Sequence, residues 1–172
     1  MSISETNRLI ISELSLKDAP FFLKLVNTPN WIKYIGDRNV KTLKEAEDYL
    51  LNGTLKSYEE FGFGFYKLYH KEENKTIGIC GLIKREQLEE VDLGFAFLPG
   101  FEGQGFGNEA SLAIIALAKN RFHLKKLLAI TLPMNSNSIK LLEKLGFTYQ
   151  KNIKPFDDDE ELLLFAKQLD LE

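Results

Sequence analysis

The chain has 172 residues, 44% hydrophobic and 27% charged, a balance that suits one globular domain spanning residues 1–172. Its net charge of −3, without a long Lys/Arg run, argues against a nucleic-acid binder, whose footprint is normally basic. Cys80 is the only cysteine and His70 and His123 the only histidines, so neither a disulfide framework nor a metal is expected.

The start, "MSISETNRLI", lacks the basic and apolar regions of a secretory signal. No stretch approaches the ~18 apolar residues of a membrane span, so the expected compartment is the cytoplasm, without a membrane partner. Leu9, Ile11 and Leu14 read as a first strand, and Ser15 opens a capped helix through "APFFLKLV". "NTPNWIKYIGDRN" reads as an irregular connection. Thr42 and Glu45 then form a capping box for a helix with Ala46, Tyr49 and Leu50 on its apolar side. "FGFYKLYH", "TIGICGLIKR" and "EVDLGFAFLP" are strands joined by short charged turns, which predicts an antiparallel meander. Apolar residues from Ala110 to Phe122 recur at helical spacing. "KKLLAITL" is a further strand, Asn135 and Ser136 cap a short helix ending at Gly146, and "FTYQKN" and "ELLLFAKQ" are two closing strands. The expected fold is mixed α/β.

"GFEGQGFGNEA", Gly100 to Ala110, carries four glycines between a strand and a helix. The first N–H groups of a helix are unpaired and its dipole favours an anion there, so this order invites a phosphate. A dinucleotide fingerprint beginning at Gly103 would need glycine where Asn108 stands, and a Walker loop would need Lys where Phe106 stands. The segment Glu102, Gly103, Gln104, Gly105, Phe106, Gly107 resembles the Q/R-x-x-G-x-G/A signature of the GCN5-related N-acetyltransferase (GNAT) family. "DLGFAFLPGFEGQGFGNEA", "NSNSIKLLEKLGF", "TNRLIISEL" and "DDDEELLLFA" are similar to its ribosomal-protein N-terminal acetyltransferase branch over nearly the whole chain.

The resemblance implies a mostly antiparallel twisted sheet, split near the strand end at Leu98, with helices on both faces. It implies direct acetyl transfer from acetyl-CoA to a primary amine, either a protein α-amino group or a small amine, by a monomer or homodimer. Main-chain amides of Gln104, Gly105, Phe106, Gly107 and Asn108 would hold the diphosphate, and Phe97 and Leu98 the pantetheine arm. Asn135 would touch that arm as well as cap its helix, with Ser138 near the thioester.

The family's usual tyrosine acid is replaced by Leu142, which leaves Ser138 or water to protonate the thiolate. Glu102 stands at the usual Gln/Arg position and is expected to face solvent. Asp92, and after it Glu90, precede the apolar end of one strand and are candidates to accept the amine's proton, against a plain solvated strand start. Trp31, Tyr34 and Pro155 to Asp159 would wall the acceptor cleft. Glu109 suits the helix dipole structurally, and Cys80 reads as a small core residue rather than a nucleophile. A non-catalytic acyl-CoA-binding or sensing module stays open as an alternative, on Glu102 and the missing tyrosine.

Overall fold

The computed structural model describes residues 1–169. Eight strands form one sheet: β1 (Ser2–Glu5), β2 (Leu9–Glu13), β3 (Phe65–His70), β4 (Lys75–Ile83), β5 (Asp92–Phe97), β6 (Lys126–Thr131), β7 (Thr148–Ile153) and β8 (Leu162–Gln168). Their order is β1-β2-β3-β4-β5-β6-β8-β7, and every pairing is antiparallel except β5 with β6. Short polar turns make β3 to β5 the expected meander, and β2 joins its edge after a long helical connection. The parallel step requires a crossover, which α5 (Phe106–Asn120) supplies.

Helices cover both faces. On one, α1 (Ala19–Val26), α2 (Pro29–Tyr34) and α3 (Leu43–Leu50) bury Ala19, Phe22, Trp31 and Leu50 against Ile79 and Leu98 of the sheet side. On the other, α5 places Ala110, Ile114 and Ala118 against Cys80, Leu82 and Leu127, and α6 (Ser136–Lys144) adds Leu142. The Thr42–Glu45 capping box at α3 forms reciprocally, with Glu45 N donating to Thr42 Oγ1 at 3.1 Å and Thr42 N to Glu45 Oε1 at 3.0 Å. A π-helical turn at Leu51–Leu55 leads from α3 into α4 (Lys56–Phe61), and Thr54 in that turn accepts the Phe65 N–H at 2.7 Å, docking the helix on β3.

Two expectations need correction. The connection after α1 is irregular only beyond α2: Pro29 stands at the first helical position and Thr28 caps α2 by accepting from Trp31 N at 3.4 Å, a start signal concealed by the brevity of the helix. The sheet also does not split at Leu98. β5 and β6 meet only where Asp92 faces Leu128, beside a Leu128 N to Val91 O bond of 2.9 Å, and from there they diverge. β5 remains paired with β4 along its whole length, so the divergence strips only its β6-facing edge.

Candidate active site

The open edge of β5 borders a cleft of about 1810 Å³ that runs from the glycine turn to the loop between β7 and β8. Leu98 N donates to Ile77 O at 2.8 Å. Since main-chain direction alternates along a strand, Ala96 and Gly94 also face β4, while the N–H and C=O groups of Phe95 and Phe97 face the open edge. An extended, amide-bearing ligand could pair there as an added strand. Phe97 is therefore placed as expected, whereas the Leu98 N–H is already engaged and its side chain is buried between the sheet and α1. Phe95 was not singled out from the sequence, because alternation identifies it only once one hydrogen-bonded pair of the ladder is known.

Past β5 the chain turns through Gly100, Gly103 and Gly105, with φ of 93°, 73° and 86°, the left-handed region that favours glycine. Gly105 is the N-cap of α5 and offers no side chain to the first turn. The first main-chain bond of the helix is Glu109 N to Gly105 O at 3.0 Å, so the preceding N–H groups of Phe106, Gly107 and Asn108 lack that partner. Gly103, Gly105, Gly107 and Asn108 line the cleft. Gln104 and Phe106 do not. The Gln104 side chain folds back to Gly100 O, and the Phe106 ring is buried in the core. At Gly107 a Cβ would lie 2.8 Å from Leu141 Cδ2, so its absence lets α6 pack closely against α5.

Glu102 is exposed and its Oε2 accepts from Asn30 Nδ2 of α2 at 2.6 Å, and both residues line the cleft beside the glycine turn. Asn135 caps α6, accepting from Ser138 N at 3.2 Å, and both residues line the cleft. Leu142 is 1% exposed, within the core. Trp31 and Tyr34 of α2 line the cleft, as do Phe156 and Asp157 of the β7–β8 loop. Trp31 is buried, and among the described residues its Nε1 has no hydrogen-bond partner.

The two candidate bases part company. Asp92 sits at the base of the split, 1% exposed, where Arg85 Nε donates to its Oδ1 at 2.9 Å. Burial pushes its carboxyl up to about 6, against the opposing pull of the Arg85 charge and hydrogen bond. The Arg85 guanidinium also lies 5.6 Å from the Phe156 ring centroid, linking two loops over the cleft. Glu90 is not on the strand: it occupies the bend before β5, exposed, and borders a separate depression with Leu88 and Lys126. Period-two spacing assumed a strand that begins at Glu90. It begins at Asp92, so the shared face does not exist.

Cys80 is fully buried with its Sγ 3.7 Å from Ser111 Oγ, and desolvation pushes the thiol up to about 12, as suits a core residue. His70 is buried too, its Nδ1 accepting from Glu73 N at 2.9 Å. Among the described residues no cluster of His, Cys, Asp and Glu could hold a metal ion, and no helix is long and apolar enough to cross a membrane.

A strand with one stripped edge leading into unpaired helix amides is a site for an extended ligand that ends in phosphates. Comparison with known proteins agrees. The sequence model described as the acetyltransferase (GNAT) domain matches residues 8–148. The chain belongs to the GNAT acetyltransferase family.

Members of this family use acetyl-CoA, and the chain is an acyltransferase of this kind. It is 25% identical to the uncharacterized N-acetyltransferase YnaD of Bacillus subtilis over 141 residues, covering 82% of this chain and 79% of that one. Over 107 residues it is 26% identical to the ribosomal protein uS5-alanine N-acetyltransferase of Escherichia coli, covering 60% and 55% of the two chains. The fold is that of RimL, a ribosomal L7/L12 alpha-N-protein acetyltransferase solved in complex with coenzyme A, at a TM-score of 0.85 and 15% identity, with each chain covered in full. The likeness to RimL is one of fold.

Proposed function

We propose that this GNAT protein moves an acetyl group from acetyl-CoA directly to a primary amine, either a protein α-amino group or a small amine. The observation that carries the reading is the stripped β6-facing edge of β5, continuous with the unpaired amides that open α5. Amides of the cleft-lining residues Gly105, Gly107 and Asn108 would receive the diphosphate, and the main chain of Phe95 and Phe97 the pantetheine arm. From Phe97 back to Asp92 is about 17 Å at ~3.3 Å per residue, which directs the thioester toward the base of the split.

An α-amino group has a pKa near 8, so much of it arrives protonated and cannot attack a carbonyl. Asp92, raised to about 6 by burial, is matched to take that proton near neutral pH, directly or through water. The amine lone pair then adds to the thioester carbon, and the C–S bond breaks as the tetrahedral intermediate collapses. Ser138 or water passes the second proton, which the adduct nitrogen sheds, to the departing thiolate, since buried Leu142 offers none. The rate gain comes chiefly from holding amine and thioester in attack geometry.

The test is calorimetric titration of CoA into wild type and Asn108→Glu, followed by an amine-acceptor screen read by mass spectrometry and thiol release. Asn108 lines the cleft in the first turn of α5, where a carboxylate suits the helix dipole and needs no positive φ, so the fold survives the change. Wild type binds CoA and the variant loses at least tenfold, about 1.4 kcal/mol. Equal affinities would remove the amides from the site. CoA binding without acetylation of any α-amino peptide or small amine would favour a sensing module.

A further inference from the structure

The glycine turn is held from behind by a residue outside the cleft. Arg8, between β1 and β2, donates from Nη1 to Gln104 O at 3.0 Å and from Nε to Glu109 Oε1 at 2.7 Å. Its guanidinium carbon lies 3.9 Å from the centroid of the Phe106 ring. The same segment supplies two more bonds to Glu109 Oε2, from Thr6 Oγ1 at 2.6 Å and Arg8 N at 2.8 Å. One side chain thus touches the residues on both sides of Gly105 and the carboxylate of the first helical turn. Gly105 lines the cleft and Arg8 does not, while a Cβ on Gly105 would point at Arg8 Nη2, 3.3 Å away.

These contacts have two consequences for an anion at the turn. The Gln104–Gly105 peptide is trans, so its C=O and N–H point in opposite directions. Fixing the carbonyl on the Arg8 side turns the Gly105 N–H away from Arg8. Glu109, in turn, is a negative charge one helical turn from the proposed diphosphate, where the two would repel. Burial alone would raise its carboxyl. The hydrogen bonds from Thr6 and Arg8 outweigh that and hold it below the ordinary range, ionised, with its charge matched by the Arg8 cation.

We infer that Arg8 is a positioning residue for the donor's diphosphate: from the far side of the turn it fixes the Gln104–Gly105 peptide and neutralises Glu109, without touching the donor. The inference rests on the acetyl-CoA reading of the cleft. It assigns a role in donor binding to the segment between the first two strands, far in sequence from the glycine turn.

The experiment compares CoA with pantetheine, which has the arm but no phosphates, binding to wild type, Arg8→Met and Arg8→Lys. CoA is titrated by calorimetry and pantetheine by NMR at millimolar concentration. Met keeps apolar cover over Phe106 and removes both the charge and the donors. Lys keeps the charge but can serve only one of the two partners. Arg8→Met weakens CoA about tenfold and leaves pantetheine within twofold, and Arg8→Lys falls between, as expected for charge-assisted bonds at a partly exposed site. Pantetheine reports an intact cleft even if the free variant is less stable, and Arg8→Lys carries the test should Arg8→Met not fold. CoA affinities within twofold of wild type in the variants that fold, or equal weakening of both ligands, would overturn the inference. If wild type binds pantetheine but no CoA more tightly, the diphosphate reading fails before Arg8 is reached.

Discussion

Asp92→Asn decides whether burial or the ion pair governs the carboxylate at the base of the cleft. In the folded chain the Asp92 carboxyl is pushed from the ordinary 3.8 to about 6, because loss of hydration outweighs the Arg85 guanidinium at 2.9 Å. A group that holds its proton more tightly folded than unfolded gives the native state the larger proton count between those values. Stability therefore falls as pH rises through the window from 3.8 to about 6 and is level above it. At ~1.36 kcal/mol per pKa unit, the ionised native residue costs about 3 kcal/mol relative to its protonated form. Asn stays neutral throughout and approximates protonated Asp in shape. The stability of Asp92→Asn minus that of wild type should then grow by about 3 kcal/mol between about pH 3 and about pH 7. Urea unfolding at several pH values, read by circular dichroism with a common m-value, measures it. A difference that is flat, or that shrinks as pH rises, would refute the reasoning: Arg85 would then outweigh desolvation and keep Asp92 ionised at and below its ordinary pKa. The same variant should lower turnover on a confirmed acceptor by about 10²–10⁴-fold if Asp92 takes the proton.

Two further outcomes follow from local geometry. Cys80, fully buried with its thiol pushed up to about 12, should resist iodoacetamide in the native protein at mildly alkaline pH and react once urea unfolds it, while Cys80→Ala keeps most of the acetyl transfer. Rapid native labelling would place the thiol in reach of solvent. Thr42→Ala removes the side chain that accepts Glu45 N at 3.1 Å and should cost about 1 kcal/mol in urea unfolding, with CoA affinity unchanged.

What the sequence determined by itself was whatever depends on neighbours along the chain. Runs of aromatic and β-branched residues marked β3, β4 and β5, and short polar turns forced them into a meander, because a parallel pairing would need a long crossover. Ser15, Thr42 and Asn135 marked helix starts through caps that close within three residues. The glycines at 103 and 105 marked a turn in left-handed conformation leading into α5. Tertiary structure alone decided what depends on segments far apart. The divergence of β5 from β6 at Asp92 sets which main-chain groups are free, and it arises from how α5 carries the chain across the sheet. Glu90 and Asp92 differ by two positions, yet one lies in an exposed bend and the other is sealed against Arg85, since burial is a property of the assembled layers and not of spacing. Arg8 is 96 residues from Gln104. Only when β2 pairs with β3 and α5 packs on the same sheet do these residues meet, and a charge-assisted hydrogen bond then becomes available that no local pattern could announce.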